Sequence, residues 1–176
     1  GRIRAVSFQQ VADGFYGQGI VGGIKAVKLM IEEFNKTPLK LIFSLPVMGY
    51  LQNRELGIDP APNSITEEQL FDMLDWPETD ALEEPPYLPI VEKNEVFLKL
   101  FEQAIEKNIP ITGHAAGISV THLNAYAAAG TITDHEQTDA QGAVEVARRG
   151  LKMLMRQGSG AFDVKALSKA ITERKL

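Results

Sequence analysis

Two hydrophobic periods alternate along this chain. Short runs at Ile3 to Phe8, Leu39 to Leu45, Ile109 to His114, Thr131 to His135 and Leu151 to Arg156 are expected as strands, with Ile3 to Phe8 rich in branched apolar types and Leu39 to Leu45, seven residues long and nearly all apolar, a buried one. Between them lie stretches whose apolar residues recur at helical spacing. Ile24, Val27, Leu29, Ile31 and Phe34 predict a helix stopped by Pro38, and Phe97, Leu100, Phe101, Ala104 and Ile105 predict another, capped by Asn94. Further helices are expected over 66–74, with Ser64 or Thr66 as cap, and over 120–129 and 139–149, with Gly130 and Gly150 in the left-handed position that follows a helix. A terminal helix is expected from Asp163, as its cap, through Val164, Leu167 and Ile171. Segment 80–84 gives the weakest strand signal, since only Ala81 and Leu82 are apolar, and the Pro-rich stretch after it, Pro85 to Pro89, reads as a rigid extended or turn segment.

Together these elements make about six strand-and-helix pairs with crossover spacing, which predicts an α/β domain over 1–176 with a parallel sheet covered by helices on both faces. Two stretches break the rhythm. The Gly-rich connection containing Gly14, Gly17, Gly19, Gly22 and Gly23 lacks the spacing of a phosphate or dinucleotide loop and reads as a turn with close helix packing. Segment 46–63 is longer than an ordinary loop and is either an entrance lid or a missed element.

Composition narrows the classes. Hydrophobic residues make up 44% and charged residues 23% of the 176 positions, which excludes a disordered chain, a collagen-like fibre and a coiled coil. The net charge of -5, without any basic run, argues against nucleic acid as a partner. The absence of cysteine excludes disulfides and sulfur-ligated metals and fits the cytosol. No apolar run reaches the ~20 residues of a membrane span, and the first residues lack a secretion-signal pattern.

In a parallel α/β fold, ligands collect at the carboxyl ends of the strands. Glu84, His114 and His135 close three successive strands, and two imidazoles with a carboxylate are a sufficient donor set for a divalent ion. A histidine at a strand end also serves as a structural hydrogen-bonding group, and a shift of one residue would exchange Glu83 for Glu84. Glu136 sits at the rim, placed for proton transfer or for orienting a ligand. Asp134 should point to the other side of its strand, toward backbone or a basic group, and His122 should lie on a helix away from the strand end. Met153 and Met155 alternate on a strand and should pack inward. Gly113 and Gly117 flank His114 with small residues, Ser119 can cap the following helix, and Ser159 lacks the setting of a nucleophile.

The stretch ITGHAAGISVTHLNAYAAAGTITDHE, 111–136, resembles the central signature of adenine deaminases of the amidohydrolase superfamily, with its HAPG turn, LNAY helix and SDHE strand end. RQGSGAF at 156–162 is similar to the family's REGSA segment, and the likeness continues more weakly through PLKLIFSLPV and WPETDALEE toward the N-terminus. The resemblance implies a partial TIM (β/α) barrel covering approximately the second through seventh strands, without the first strand and its His-x-His pair or the eighth and its aspartate. A complete barrel of this kind takes about 250 residues. It further implies His114 and His135 as metal ligands, Glu84 as a carboxylate able to bridge two metals, and Glu136 near the substrate. The cofactor would be a divalent metal, mononuclear or binuclear, drawn from manganese, iron or zinc. The family reaction is hydrolytic deamination of adenine to hypoxanthine and ammonia.

Three segments depart from the family: ALEEPPYLPI replaces a GLGE segment and the turn after it, HAAG replaces HAPG, and Gln9-Gln10 stands where the family has His-Glu. The expectation is therefore a cytoplasmic hydrolase fragment or subunit, completed by additional polypeptide or by a homo-oligomer. The alternatives are a cyclic amidohydrolase with another substrate and a catalytically silent interaction protein.

Overall fold

A computed structural model describes residues 22–38, 40–47, 50 and 63–173. The expected strand 3–8, Gln9-Gln10, most of the Gly-rich connection and most of the 46–63 segment lie outside the described residues. The chain forms two compact units, one made of 1–84 and 106–109, the other of 85–105 and 110–176.

In the first unit, helix α1 (Gly23–Asn35) buries Val27 and Ile31, in line with its apolar spacing. Strand β1 (Phe43–Pro46) is fully buried and begins later than the apolar run predicted. The reason is at its first residue: Phe43 N donates to the Asp80 carboxylate at 2.9 Å, and the ladder is irregular between Phe43 and Ser44. Thr66 caps helix α2 (Glu67–Asp72) in a reciprocal arrangement with Gln69, the Thr66 side chain accepting from Gln69 N and the Gln69 side chain accepting from Thr66 N. The helix tightens into a 3₁₀ turn (Met73–Asp75), and Thr79 Oγ1 donates to Met73 O at 2.6 Å where strand β2 (Thr79–Glu83) begins. The two strands pair in parallel, with Leu45 opposite Leu82 and Pro46 opposite Glu83. Trp76 stacks on Phe43, with Lys28 over its ring.

The second unit departs at its start from the extended or turn segment expected over Pro85 to Pro89. Pro86 bridges to His114 as an extended residue, but Tyr87–Val91 forms a short helix, α3, because Pro86 has the extended backbone of a helix-preceding residue and the interior Pro89 falls in the first turn, where no amide donor is needed. Helix α4 (Glu95–Glu106) starts where Asn94 Oδ1 accepts from Val96 N and Phe97 N. It buries Phe97, Leu100, Phe101 and Ala104, whereas Ile105 is exposed, at the edge of the apolar face. Helices α5 (Val120–Ala128) and α6 (Ala140–Arg148) are capped by Ser119 and Asp139. Gly130 and Gly150 follow them with φ of +109° and +80°.

The strands of this unit are short. Ile111 bridges Thr131 in parallel, and β3 (Thr133–Asp134) pairs in parallel with β4 (Lys152–Met153). Met153 and Met155 pack against Ala143, Val144, Leu167 and Ala170. The terminal helix is broken into α7 (Val164–Leu167) and α8 (Lys169–Thr172), and Asp163 makes no side-chain cap bond. Its carboxylate is taken by Arg156, so the expected cap is replaced by a tertiary ion pair. The architecture is thus mixed α/β with alternating helices and small parallel sheets, and no closed barrel is seen among the described residues.

Candidate metal centre

The site is assembled at the carboxyl ends of short strands. His114 is held through its backbone. Its N–H donates to the Tyr126 hydroxyl at 3.0 Å, and that hydroxyl donates to Pro85 O. Tyr126 is wholly buried on α5, so one side chain ties the helix to the strand end and to the chain that enters this unit. Gly113 brings the backbone close. A Cβ there would lie 2.2 Å from Thr133 O, a position only glycine can occupy without displacing the next strand.

β3 leads directly into His135, and the alternation of an extended chain sends its two polar neighbours apart. Asp134 is fully buried, accepts from Ala115 N at 2.9 Å and from Gln137 Nε2 at 3.0 Å, and so fastens the loop after His114. His135 turns toward His114, their ring centroids 5.5 Å apart. Burial holds the His135 imidazole below its ordinary pKa, against the opposing pull of Glu136. Its neutral form, the form that binds a metal, is thereby favoured.

Glu84 precedes Pro85-Pro86, and Pro86 pairs with His114 in an isolated parallel bridge. The φ of Glu84 is +42°, in the left-handed region where a residue with a Cβ is rare and strained. One potential ligand atom each from Glu84, His114 and His135 lies within 4.8 Å of the others, so the three can hold a divalent ion. The sequence left Glu83 and Glu84 interchangeable; Glu83 is instead buried within β2.

Glu136 joins the two histidines. Its Oε1 lies 3.0 Å from His135 Nε2 and 3.9 Å from His114 Nδ1, and accepts from Arg156 Nη1 at 2.5 Å. Arg156 Nε in turn donates to Asp163 Oδ2 at 3.0 Å. Sequence reasoning missed Arg156, Asp163 and Tyr126 as contributors. The signal for Arg156 was present, because it ends the apolar run Leu151 to Arg156 as His114 and His135 end theirs. His122 is exposed on α5, as expected, with its ring 6.0 Å from that of Tyr87. A groove of about 360 Å³ lined by Lys28, Trp76 and Glu78, among others, belongs to the first unit and contains no histidine.

No family model matches the chain. It is 30% identical over 155 residues to an adenine deaminase of Bacillus pumilus, an alignment covering 88% of this chain and 26% of that protein. It is 33% identical over 153 residues to an adenine deaminase of Methanosphaera stadtmanae, covering 86% and 27% respectively. With adenine deaminase 3 of Rhizobium meliloti the identity is 32% over 155 residues, covering 86% and 25%. The chain is therefore similar to adenine deaminases over most of its own length, and it spans about a quarter of the length of these relatives.

Proposed function

We propose that this chain carries the metal-binding segment of an adenine deaminase-like hydrolase, and that the complete protein converts adenine to hypoxanthine and ammonia. The observation that carries the reading is the approach of ligand atoms from Glu84, His114 and His135 to within 4.8 Å. The similarity to adenine deaminases supports the choice of reaction. In this reading His114, His135 and Glu84 hold the ion, for which their nitrogen and oxygen donors suit manganese, iron or zinc, singly or as a pair bridged by Glu84. When bound, the ion supplies the Lewis acidity that hydrolysis at a purine carbon requires. Glu136 moves the proton at its Oε1, and Asp134 and Tyr126 keep the two histidine-bearing strand ends in register.

The remaining features belong to the same proposal. The chain corresponds to approximately the second through seventh strands of a partial barrel, and additional polypeptide or a second copy of this chain supplies the rest of the metal shell. The site of action is the cytoplasm. The segment ALEEPPYLPI around Glu84 departs from the family's sequence and enters helix α3 at Tyr87, so a related cyclic C–N substrate is the second reading.

The test uses the complete protein, with metal content and adenine turnover measured together. Glu84→Gln should lose stoichiometric metal, while Glu136→Gln should retain it and lose about 10² to 10⁴ of the rate, the range of a proton-transfer group. Glu84→Gly removes the same carboxylate and relieves the left-handed backbone, so it should keep the fold while losing the metal. Metal retained in both Glu84 variants overturns its role. Hydrolysis of a cyclic amide without adenine turnover establishes the second reading, and a properly folded protein without metal establishes the silent one.

A further inference from the structure

Both imidazoles approach one oxygen, Glu136 Oε1, at 3.0 Å from His135 Nε2 and 3.9 Å from His114 Nδ1. A carboxylate so placed is within reach of any ion those histidines hold. As an additional ligand it would close a coordination position that a catalytic metal needs open, and it would give up its freedom to carry a proton. The same oxygen also accepts from Arg156 Nη1 at 2.5 Å.

Arg156 is itself fixed at two points. Its Nε donates to Asp163 Oδ2 at 3.0 Å, and its carbonyl accepts from Asp163 N at 2.9 Å. The loop between them is closed by an antiparallel bridge from Gln157 to Phe162 and by Gly158 N donating to Ala161 O at 2.8 Å. The Asp163 side chain leaves its helix uncapped to make this contact. Guanidinium geometry suits the task. A planar, permanently charged fork can hold Asp163 with Nε and Glu136 with Nη1 at once, whereas a lysine ammonium on a flexible stem lacks that fixed pair of edges.

We propose that Arg156, anchored by Asp163, is a positioning residue that holds the Glu136 carboxylate away from the metal and in place for proton transfer. The inference rests on the metal reading above and adds to it a means by which the site keeps one carboxylate out of the ligand set.

The experiment compares Arg156→Gln, Arg156→Lys, Glu136→Gln and the Arg156→Gln/Glu136→Gln double variant in the complete protein. Mn²⁺ affinity is measured by titration of the metal-free form, and kcat and KM by adenine turnover. Arg156→Gln should lower kcat by about 10-fold or more, with KM changed far less, and should bind Mn²⁺ at least as tightly as the parent because Glu136 is released toward the ion. Arg156→Lys should recover only part of the rate. The double variant should be no slower than Glu136→Gln alone and should lose any gain in Mn²⁺ affinity, since Arg156 acts through Glu136.

Additive rate losses, a kcat equal to the parent's, or Mn²⁺ lost in step with activity would each overturn the positioning role while leaving the metal reading intact. A parent protein that binds no Mn²⁺, Fe²⁺ or Zn²⁺ overturns both. If Arg156→Gln fails to fold, Asp163→Ala, which removes only the anchor, should show a smaller kcat loss with the same non-additivity toward Glu136→Gln. Additivity there overturns the proposal.

Discussion

Tyr126 shows how much of this site depends on a single hydroxyl. It accepts from His114 N and donates to Pro85 O, and it is buried with no exposed surface. Tyr126→Phe keeps the ring and removes both bonds, leaving a strand-end amide and a carbonyl without this partner. The expected cost is about 1–3 kcal/mol of stability, the usual penalty for stranding a buried polar group. Urea unfolding of parent and variant checks this, and a difference below about 0.5 kcal/mol would show that the hydroxyl is dispensable. Glu84, His114 and His135 were legible as groups closing expected strands, and Glu136 as the rim residue that follows His135. Their partners were not. Nothing near Tyr126 in sequence announces Pro85, and nothing near Asp163 announces that its carboxylate will leave its helix for Arg156.

At the scale of elements, helix boundaries followed local chemistry. Thr66, Asn94, Ser119 and Asp139 each accept from amides within the first turn of the helix they precede, so the side chain that ends the free amides is itself in the local sequence. Strand extents did not follow in the same way. The apolar runs marked buried segments, but pairing is restricted to β1 with β2, β3 with β4 and isolated parallel bridges, because a ladder needs a partner at matched register. At Gly113 two neighbouring segments approach closely. The Gly113 N–H donates to Thr133 Oγ1 at 3.2 Å, and an added Cβ would meet Thr133 O at 2.2 Å and Thr131 Cγ2 at 2.6 Å. Gly113→Ala should therefore destabilise by about 3 kcal/mol, at the upper end of ordinary overpacking, because backbone must shift. A loss of less than about 1 kcal/mol in denaturant unfolding would mean that the strands separate easily. Crystallography of the variant would then show His114 displaced from His135 if the site depends on that contact.

At the scale of the whole molecule, the proposed metal links binding to folding. An ion held only by the folded ligand set adds stability that grows with its concentration, reaching about 2.7 kcal/mol at a hundred times the dissociation constant. Saturating Mn²⁺ or Zn²⁺ should therefore raise the melting midpoint of the complete protein, and an excess of chelator should return it to the metal-free value. The His114→Ala/His135→Ala variant should show no such dependence. An equal rise in that variant would place the stabilising ion elsewhere. Among the described residues no helix is long and apolar enough to cross a membrane.

By itself, the amino-acid sequence determined the features decided within a few residues. These are the helices capped by Thr66, Asn94, Ser119 and Asp139, the glycines at positive φ after α5 and α6, the alternation that parts Asp134 from His135, and the strand ends that carry the imidazoles. Only the tertiary structure decided which distant groups meet. It selected Glu84 over Glu83, gave Glu136 Oε1 to two histidines and an arginine, and drew Asp163 from its helix to hold that arginine. The difference is physical. A cap or a glycine turn is stabilised by atoms the local chain brings within reach, whereas a buried carboxylate or imidazole takes whichever partner satisfies it when separate segments pack together.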